Sequence, residues 1–241
     1  LDEYAASGEM PEGCSISLGG ETESTASDGY TAERKIAYDI FKRLADIIMT
    51  LIASVILLIP CAVIALLILA EDGGPVIYAH SRVGKGGKPL KVYKFRSMKK
   101  DADDIGKYLT PEQQELFKKE YKLKNDPRVT KIGRVLRRTS LDELPQILIN
   151  VLIFGNMSVV GPRPVVMDET LLYGENRNAF LSVKPGLTGY WAAYADKNTG
   201  YENGSRQEME LYYVKNRSVM LDIKIILKTV GTVIRKAETN N

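Results

Sequence analysis

From Ile47 to Ala70 the chain carries no charged residue. At about 1.5 Å per residue, a helix of that length exceeds the ~30 Å hydrocarbon core of a bilayer. A soluble domain rarely buries a helix so long and so apolar, so the run predicts a membrane segment. Pro60 lies in its middle, where proline removes a backbone hydrogen bond and kinks a helix. Both flanks are basic: Arg34, Lys35, Lys42 and Arg43 precede the run, and Arg82, Lys85, Lys88, Lys91, Lys94 and Arg96 follow it. Cations are retained on the cytoplasmic side. A re-entrant helix kinked at Pro60 satisfies both flanks, whereas a simple span does not. Periodicity alone leaves the two open. The run also comes too late, and lacks the small-residue cleavage site, to read as a signal peptide.

Charge divides the chain in the same place. Residues 1–33 hold eight acids and no Lys or Arg, among Ser, Thr and Gly. They read as an acidic disordered tail, and Leu1 at the start suggests a processed or truncated chain. All 33 Lys and Arg fall in 34–241, against 22 remaining acids, which leaves that part near +11. A basic body suits anionic partners: nucleic acid, anionic lipid or phosphorylated substrates. No nucleic-acid recognition motif accompanies the charge, so no nucleic-acid partner is expected. Cys14 in the tail and Cys61 in the apolar run make no disulfide framework. With one histidine, His80, acid–base chemistry falls to carboxylates, Lys or Tyr.

Past the apolar run, Pro75–Arg82 and Leu90–Arg96 are rich in Val, Ile, Tyr and Phe around Gly84-Lys85-Gly86-Gly87-Lys88, which predicts a β-hairpin. Those glycines miss the phosphate-loop spacing and are read as turn residues. Asp101-Ala102-Asp103-Asp104 has the form of a metal-binding DxD but is too short to be specific; a solvated acidic turn is the reading preferred. Thr110-Pro111-Glu112-Gln113 opens a capped surface helix. Thr130–Thr139 reads as a helix with Arg134, Arg137 and Arg138 on its polar side.

The stretch Arg137-Arg138-Thr139-Ser140-Leu141-Asp142-Glu143 then sets two carboxylates beside two arginines. Ser140 and Glu143 match a capping box, and a helix N-terminus lowers carboxylate pKa values. Asp142 is therefore expected to be ionised and aimed at whatever the neighbouring loop presents, as a nucleophilic carboxylate beside phosphate-binding arginines requires. The plainer alternative is that Asp142 and Glu143 only finish a helix. Leu141, Leu144, Ile147, Leu148 and Val151 continue it as a packed helix. Ser158-Val159-Val160 reads as a buried strand, and Pro162 and Pro164 fix where Arg163 points. Trp191, after the Gly-rich 184–189, suits a membrane interface slightly better than base stacking. Ser218–Lys236 is an amphipathic helix that fits packing on the body or lying among lipid headgroups.

Six motifs in order carry a resemblance: Lys42-Arg43-Leu44-Ala45-Asp46, Tyr93-Lys94-Phe95-Arg96-Ser97-Met98, Ser140–Gln146, Gly161-Pro162-Arg163-Pro164, Pro185–Gly189 and Tyr212–Asn216. Together they resemble the bacterial monotopic phosphoglycosyl transferases, or polyprenyl-phosphate sugar-phosphate transferases, over Ala37 to Lys236. The resemblance implies a sugar phosphate moved from a nucleotide diphosphate sugar, a UDP-sugar first among them, to polyprenyl phosphate at the cytoplasmic face of the bacterial inner membrane. It implies Asp142 as nucleophile and Glu143 as its partner, both able to hold Mg²⁺. It further implies Arg137 and Lys94 on phosphate, Arg163 at the nucleotide end within the Pro162–Pro164 loop, and Pro60 as the kink of the re-entrant helix. Three departures stand out: Ile59 before Pro60, where some members have Ser, a longer stretch between Gln146 and Met157, and an altered Ala192–Lys197 after Trp191.

The expected fold is α+β and mostly helical: a monotopic membrane protein with a re-entrant helix, a small β-hairpin and amphipathic interfacial helices. Its expected parts are the tail 1–33, the membrane-embedded 34–72 with its basic lead-in, and a cytosolic-face catalytic domain 73–241. A homo-oligomer is compatible with the sequence. Two other functions stay open: a non-catalytic membrane-surface binding module, and a glycosyltransferase releasing UDP.

Overall fold

The computed structural model describes residues 35–120, 123, 125–195 and 204–239, so the acidic tail, Cys14 and residues 196–197 lie outside the described residues. In chain order come α1 (Ile36–Asp72), β1 (Ile77–Val83), β2 (Pro89–Phe95), α2 (Ile105–Tyr108), α3 (Pro111–Glu120) and α4 (Lys131–Thr139). A 3-10 turn at Leu141–Glu143 and a π-helical segment at Ile147–Ile153 follow. Then come β3 (Ser158–Val160), a 3-10 segment (Asp168–Asn176), α5 (Arg177–Leu181), β4 (Gly186–Thr188), α6 (Tyr190–Tyr194), α7 (Ser205–Asn216) and α8 (Val219–Thr239). The fold is mostly helical, as the sequence led us to expect, with two small two-stranded sheets.

α1 joins the basic lead-in and the apolar run in one helix, long and apolar enough to cross a membrane, with Pro60 inside it. Its middle projects: Val55 is 71% and Ile59 74% exposed. Its two ends do not. At the entry end, Tyr38 Oη and Lys42 Nζ donate to Asp222 at 2.8 and 2.7 Å, and Arg43 donates to the carbonyl of Val151 at 2.6 Å. Asp46, buried, accepts from Ser158 Oγ at 2.7 Å and from the Val159 amide at 3.1 Å. At the exit end, Ile64 and Ile68 pack with Phe95 and Leu136, each buried side chain contributing about 1.5–3 kcal/mol. Arg96 closes that end by donating to the carbonyls of Asp72 and Gly73, at 3.2 and 2.6 Å. Entry and exit are therefore held by one body, while the apolar middle stands off it.

β1 and β2 form the expected hairpin, antiparallel, with Tyr78 opposite Lys94, and a glycine-rich tip in which Gly86 and Gly87 take φ of 70 and 76°. Among the described residues no third strand covers β2. The amide of Asn150, fully buried on the π-helical segment, serves instead: Oδ1 accepts the Tyr93 N–H at 3.0 Å and Nδ2 donates to the carbonyl of Lys91 at 2.7 Å. Sequence patterning predicts an ordinary helix after the dyad. The observed turn is the wider i→i+5 form.

β3 pairs in parallel with β4. Where their extensions cross, Gly161 and Gly186 touch backbone to backbone; a Cβ on Gly186 would lie 2.1 Å from the Gly161 nitrogen. The loop holding Arg163 is thereby locked to the Pro185–Gly189 loop. α8 buries Ile225 completely and leaves Met220, Ile223, Leu227 and Val230 exposed, so it packs on the body and keeps an apolar stripe outside. Asp101–Asp104 is an acidic turn, as preferred: Asp101 pairs with Lys107 and Tyr108, and Asp104 caps α2 through the Lys107 amide. α3 starts on the expected reciprocal cap between Thr110 and Gln113.

Candidate active site

The capping box expected at Ser140 does not form. Ser140 is instead the left-handed C-terminal residue of α4, at φ 59°, and its amide donates back to the Leu136 carbonyl. Its side chain caps nothing. The S-x-x-E pattern is local, and here a tertiary partner outcompetes it: the Glu143 carboxylate lies 2.6 Å from Lys94 Nζ on β2. The dyad thus sits on a 3-10 turn after a sharp reversal, and that turn opens the helical run that continues through Ile153 without a side-chain cap.

That placement also overturns the expected pKa. Asp142 is governed by burial, which outweighs its place in the first turn and raises its carboxyl above the ordinary range; Glu143 pushes the same way, while Lys94 and Arg137 pull it down. The Asp142 side chain is 13% exposed and 4.0 Å from Lys94 Nζ, whereas Glu143 is about half exposed. A poorly solvated carboxylate held between two cations can attack an electrophile that brings its own negative charge.

The cations are placed by the chain around β2. Lys94 projects from the strand, Phe95 enters the core and Arg96 closes α1. Ser97 Oγ accepts from Arg137 Nε at 2.8 Å, and its carbonyl accepts the Thr130 amide. α4 approaches this carbonyl so closely that a Cβ on Gly133 would stand 1.9 Å from it. Glu71, at the exit of α1, accepts the Lys131 and Ile132 amides at 2.6 and 2.9 Å and so caps the helix that carries Arg137. Lys94, Arg137, Asp142 and Glu143 therefore meet in one place.

Arg163, Pro162 and Pro164 belong to a second cluster. The Arg163 amide donates to both Glu210 oxygens at 3.2 and 3.3 Å, and its guanidinium lies 5.8 Å from the Trp191 ring. Arg206 covers the same ring at 4.3 Å, so Trp191 is flanked by guanidinium groups. Its contacts run to Glu210 and Trp191 rather than to the dyad. Glu71, Ser97, Asn150 and Glu210 went unassigned in the sequence. Only Ser97 carried a signal, its place in the Tyr93–Met98 motif. His80 lies on β1 with its ring edge-on to Tyr78, and burial lowers its pKa.

For a metal, the dyad offers two adjacent carboxylates; no group of three or more His, Cys, Asp or Glu stands ready for one among the described residues. That donor set fits Mg²⁺, which commonly takes one or two carboxylates and fills its remaining positions with substrate phosphate and water.

Against known proteins, the family model described as bacterial sugar transferase matches residues 37–236. The chain is 45% identical over 171 residues to an undecaprenyl-phosphate galactose phosphotransferase of Salmonella typhimurium, covering 70% of this chain and 35% of that protein. It is 43% identical over 200 residues to a UDP-glucose:undecaprenyl-phosphate glucose-1-phosphate transferase of Escherichia coli, covering 79% and 39%. It is 40% identical over 195 residues to the exopolysaccharide production protein ExoY of Rhizobium meliloti, covering 80% and 84%. The chain thus spans well under half of the first two relatives and most of the third.

Proposed function

The chain belongs to the bacterial sugar transferase family, and on that premise we propose that it transfers a sugar 1-phosphate from a nucleotide diphosphate sugar to polyprenyl phosphate. The observation that carries this reading is Asp142, a largely buried carboxylate with Lys94, Arg137 and Glu143 around it. The names of the Salmonella and Escherichia relatives give undecaprenyl phosphate as their acceptor, and the latter gives UDP-glucose as donor. We carry over the class: a UDP-sugar and undecaprenyl phosphate.

Asp142 attacks the phosphorus that bears the sugar. The bond from that phosphorus to the bridging oxygen breaks, and UMP leaves with the electron pair. Lys94 and Arg137 take up charge on the phosphoryl oxygens. The phosphosugar is then an acyl phosphate on Asp142. An oxygen of the lipid phosphate attacks the same phosphorus, the bond to Asp142 breaks, and the carboxylate returns as polyprenyl diphosphate sugar departs. Glu143, more exposed, handles protons or metal at the turn's rim. Asp142 and Glu143 would hold Mg²⁺ together with the diphosphate, and the bound ion would offset the charge of the leaving UMP. Arg163, steadied by Pro162 and Pro164, meets the nucleotide end.

Two neighbouring phosphates must reach Asp142, one of them on a lipid, so the dyad belongs at a membrane surface. The anchoring of both ends of α1 to one body, with the apolar middle standing off, supports a helix that enters and leaves the same leaflet at Pro60. Basic residues at both ends support the cytoplasmic face of the inner membrane. The exposed stripe of α8 suits the headgroup region. On this reading 34–72 is the membrane part and 73–241 the catalytic part.

The test is nucleotide release from purified protein, Mg²⁺, undecaprenyl phosphate and a panel of UDP-sugars, with UMP and UDP resolved. UMP is expected, and Asp142→Asn should abolish it while vesicle flotation is unchanged. UDP as the product would point to direct glycosyl transfer, and near wild-type turnover by the variant would remove Asp142 from its role.

A further inference from the structure

Glu210 has no part in the reaction as set out above, yet it is among the most deeply buried charged groups in the molecule, 1% exposed on α7. It is surrounded by the second cluster. In Pro162-Arg163-Pro164 the prolines have no amide hydrogen, so the Arg163 N–H is the one backbone donor of the triplet. Both Glu210 oxygens accept it. From the other side the backbone of Gly189 closes in, its missing Cβ falling 3.9 Å from Glu210 Oε2. One turn back on α7, Arg206 lies buried with its guanidinium over Trp191, the ring that Arg163 also faces. The loop that presents Arg163 thus closes on this carboxylate, and the ring that Arg163 faces lies under Arg206, one turn back on the same helix.

We propose that Glu210 is a positioning residue that fixes where the Pro162–Pro164 loop delivers the Arg163 guanidinium to the donor. The proposal rests on Arg163 binding the nucleotide end, as argued above. Burial pushes the Glu210 carboxyl up to about 7, with the Arg163 amide and the Arg206 and Arg163 charges pulling against it. Ionised, the group grips the amide with two charged acceptors. Protonated, it offers a weaker acceptor, and the loop loosens as pH falls through about 7.

Trp191 is the only tryptophan of the chain, so its fluorescence reports this cluster directly. In wild-type protein the emission should titrate with a midpoint near 7; an emission flat from pH 5.5 to 8.5 overturns the proposal. Glu210→Gln keeps the size and one acceptor but removes the charge. That variant should lose the fluorescence titration, and its donor KM should rise about tenfold at pH 8 with kcat within a few-fold, as for one charge-assisted hydrogen bond. His80→Gln should leave the titration in place. A folded Glu210→Gln protein with wild-type KM and an unaltered titration refutes the assignment. If wild-type protein releases no UMP from any donor while Trp191 still titrates through Glu210, the reaction reading fails and the loop-positioning role stands.

Discussion

Replacing Glu71 with alanine removes both acceptors from the first turn of α4, leaving the Lys131 and Ile132 amides to water. Loss of an N-terminal cap costs about 0.5–2 kcal/mol. Glu71 is exposed, so solvent and salt screening place the loss near 1 kcal/mol. In a domain of this size that lowers the unfolding midpoint by about 2–4 °C. Glu71→Gln, which keeps a neutral acceptor, should lose roughly half as much. The pH dependence has a definite sign. Burial raises the Glu71 carboxyl, but the Ile132 and Lys131 amides and the Thr130 side chain together more than offset it, so the folded-state value lies below the ordinary 4.5. Its contribution is therefore complete above about 4.5 and fades as pH falls through the lowered value. Thermal unfolding of the full chain in detergent, followed by circular dichroism, should show the gap between wild type and Glu71→Ala at pH 7 and its closure in acid. UMP release should also slow, since α4 carries Arg137. Coincident unfolding curves at pH 7 would refute the idea that the end of α1 caps the catalytic helix.

Two further substitutions probe the supports of the dyad. Asn150→Ala strips the Tyr93 amide and the Lys91 carbonyl of their partners in a part-buried setting, at about 1–3 kcal/mol in all, and a chemical denaturation series should show that loss. Gly133→Ala drives a methyl against the Ser97 carbonyl at an unrelaxed 1.9 Å, an overpacking cost of about 1–3 kcal/mol. Ser97 must move, Arg137 loses its hydroxyl partner, and UMP release should fall at least tenfold with vesicle binding unchanged.

Elements whose cause is local were legible in the sequence: the apolar run, the hairpin with its glycine tip, the cap of α3 at Thr110 and the acidic turn at Asp101. The dyad's chemistry was legible too, but not its geometry. Ser-x-x-Glu fits a capping box equally well whether or not a lysine stands opposite, and only the fold brings Lys94 within reach of Glu143. The same holds for Asp142. Sequence places Arg137 nearby, which lowers its pKa, whereas the burial that raises it comes from packing. Asn150 looks like a misplaced polar residue in an apolar helix until its amide is seen to pair with the edge of β2 that faces away from β1. Glu71, Asp46 and Glu210 answer to partners 60, 112 and 47 residues away, beyond any local pattern.

The two ends of α1 differ in when they can be fastened. The exit end finds Glu71's partners at Lys131 and Ile132 as soon as α4 exists. The entry end waits for Ser158 to satisfy Asp46 and for Asp222 to receive Tyr38 and Lys42. At about 5–20 residues per second of synthesis, the interval between Ile132 and Asp222 is roughly 5–20 s. The segment made first is thus the last to be secured, and a ribosome stalled before α8 leaves the lysine and tyrosine at the entrance of the apolar helix without their acceptor.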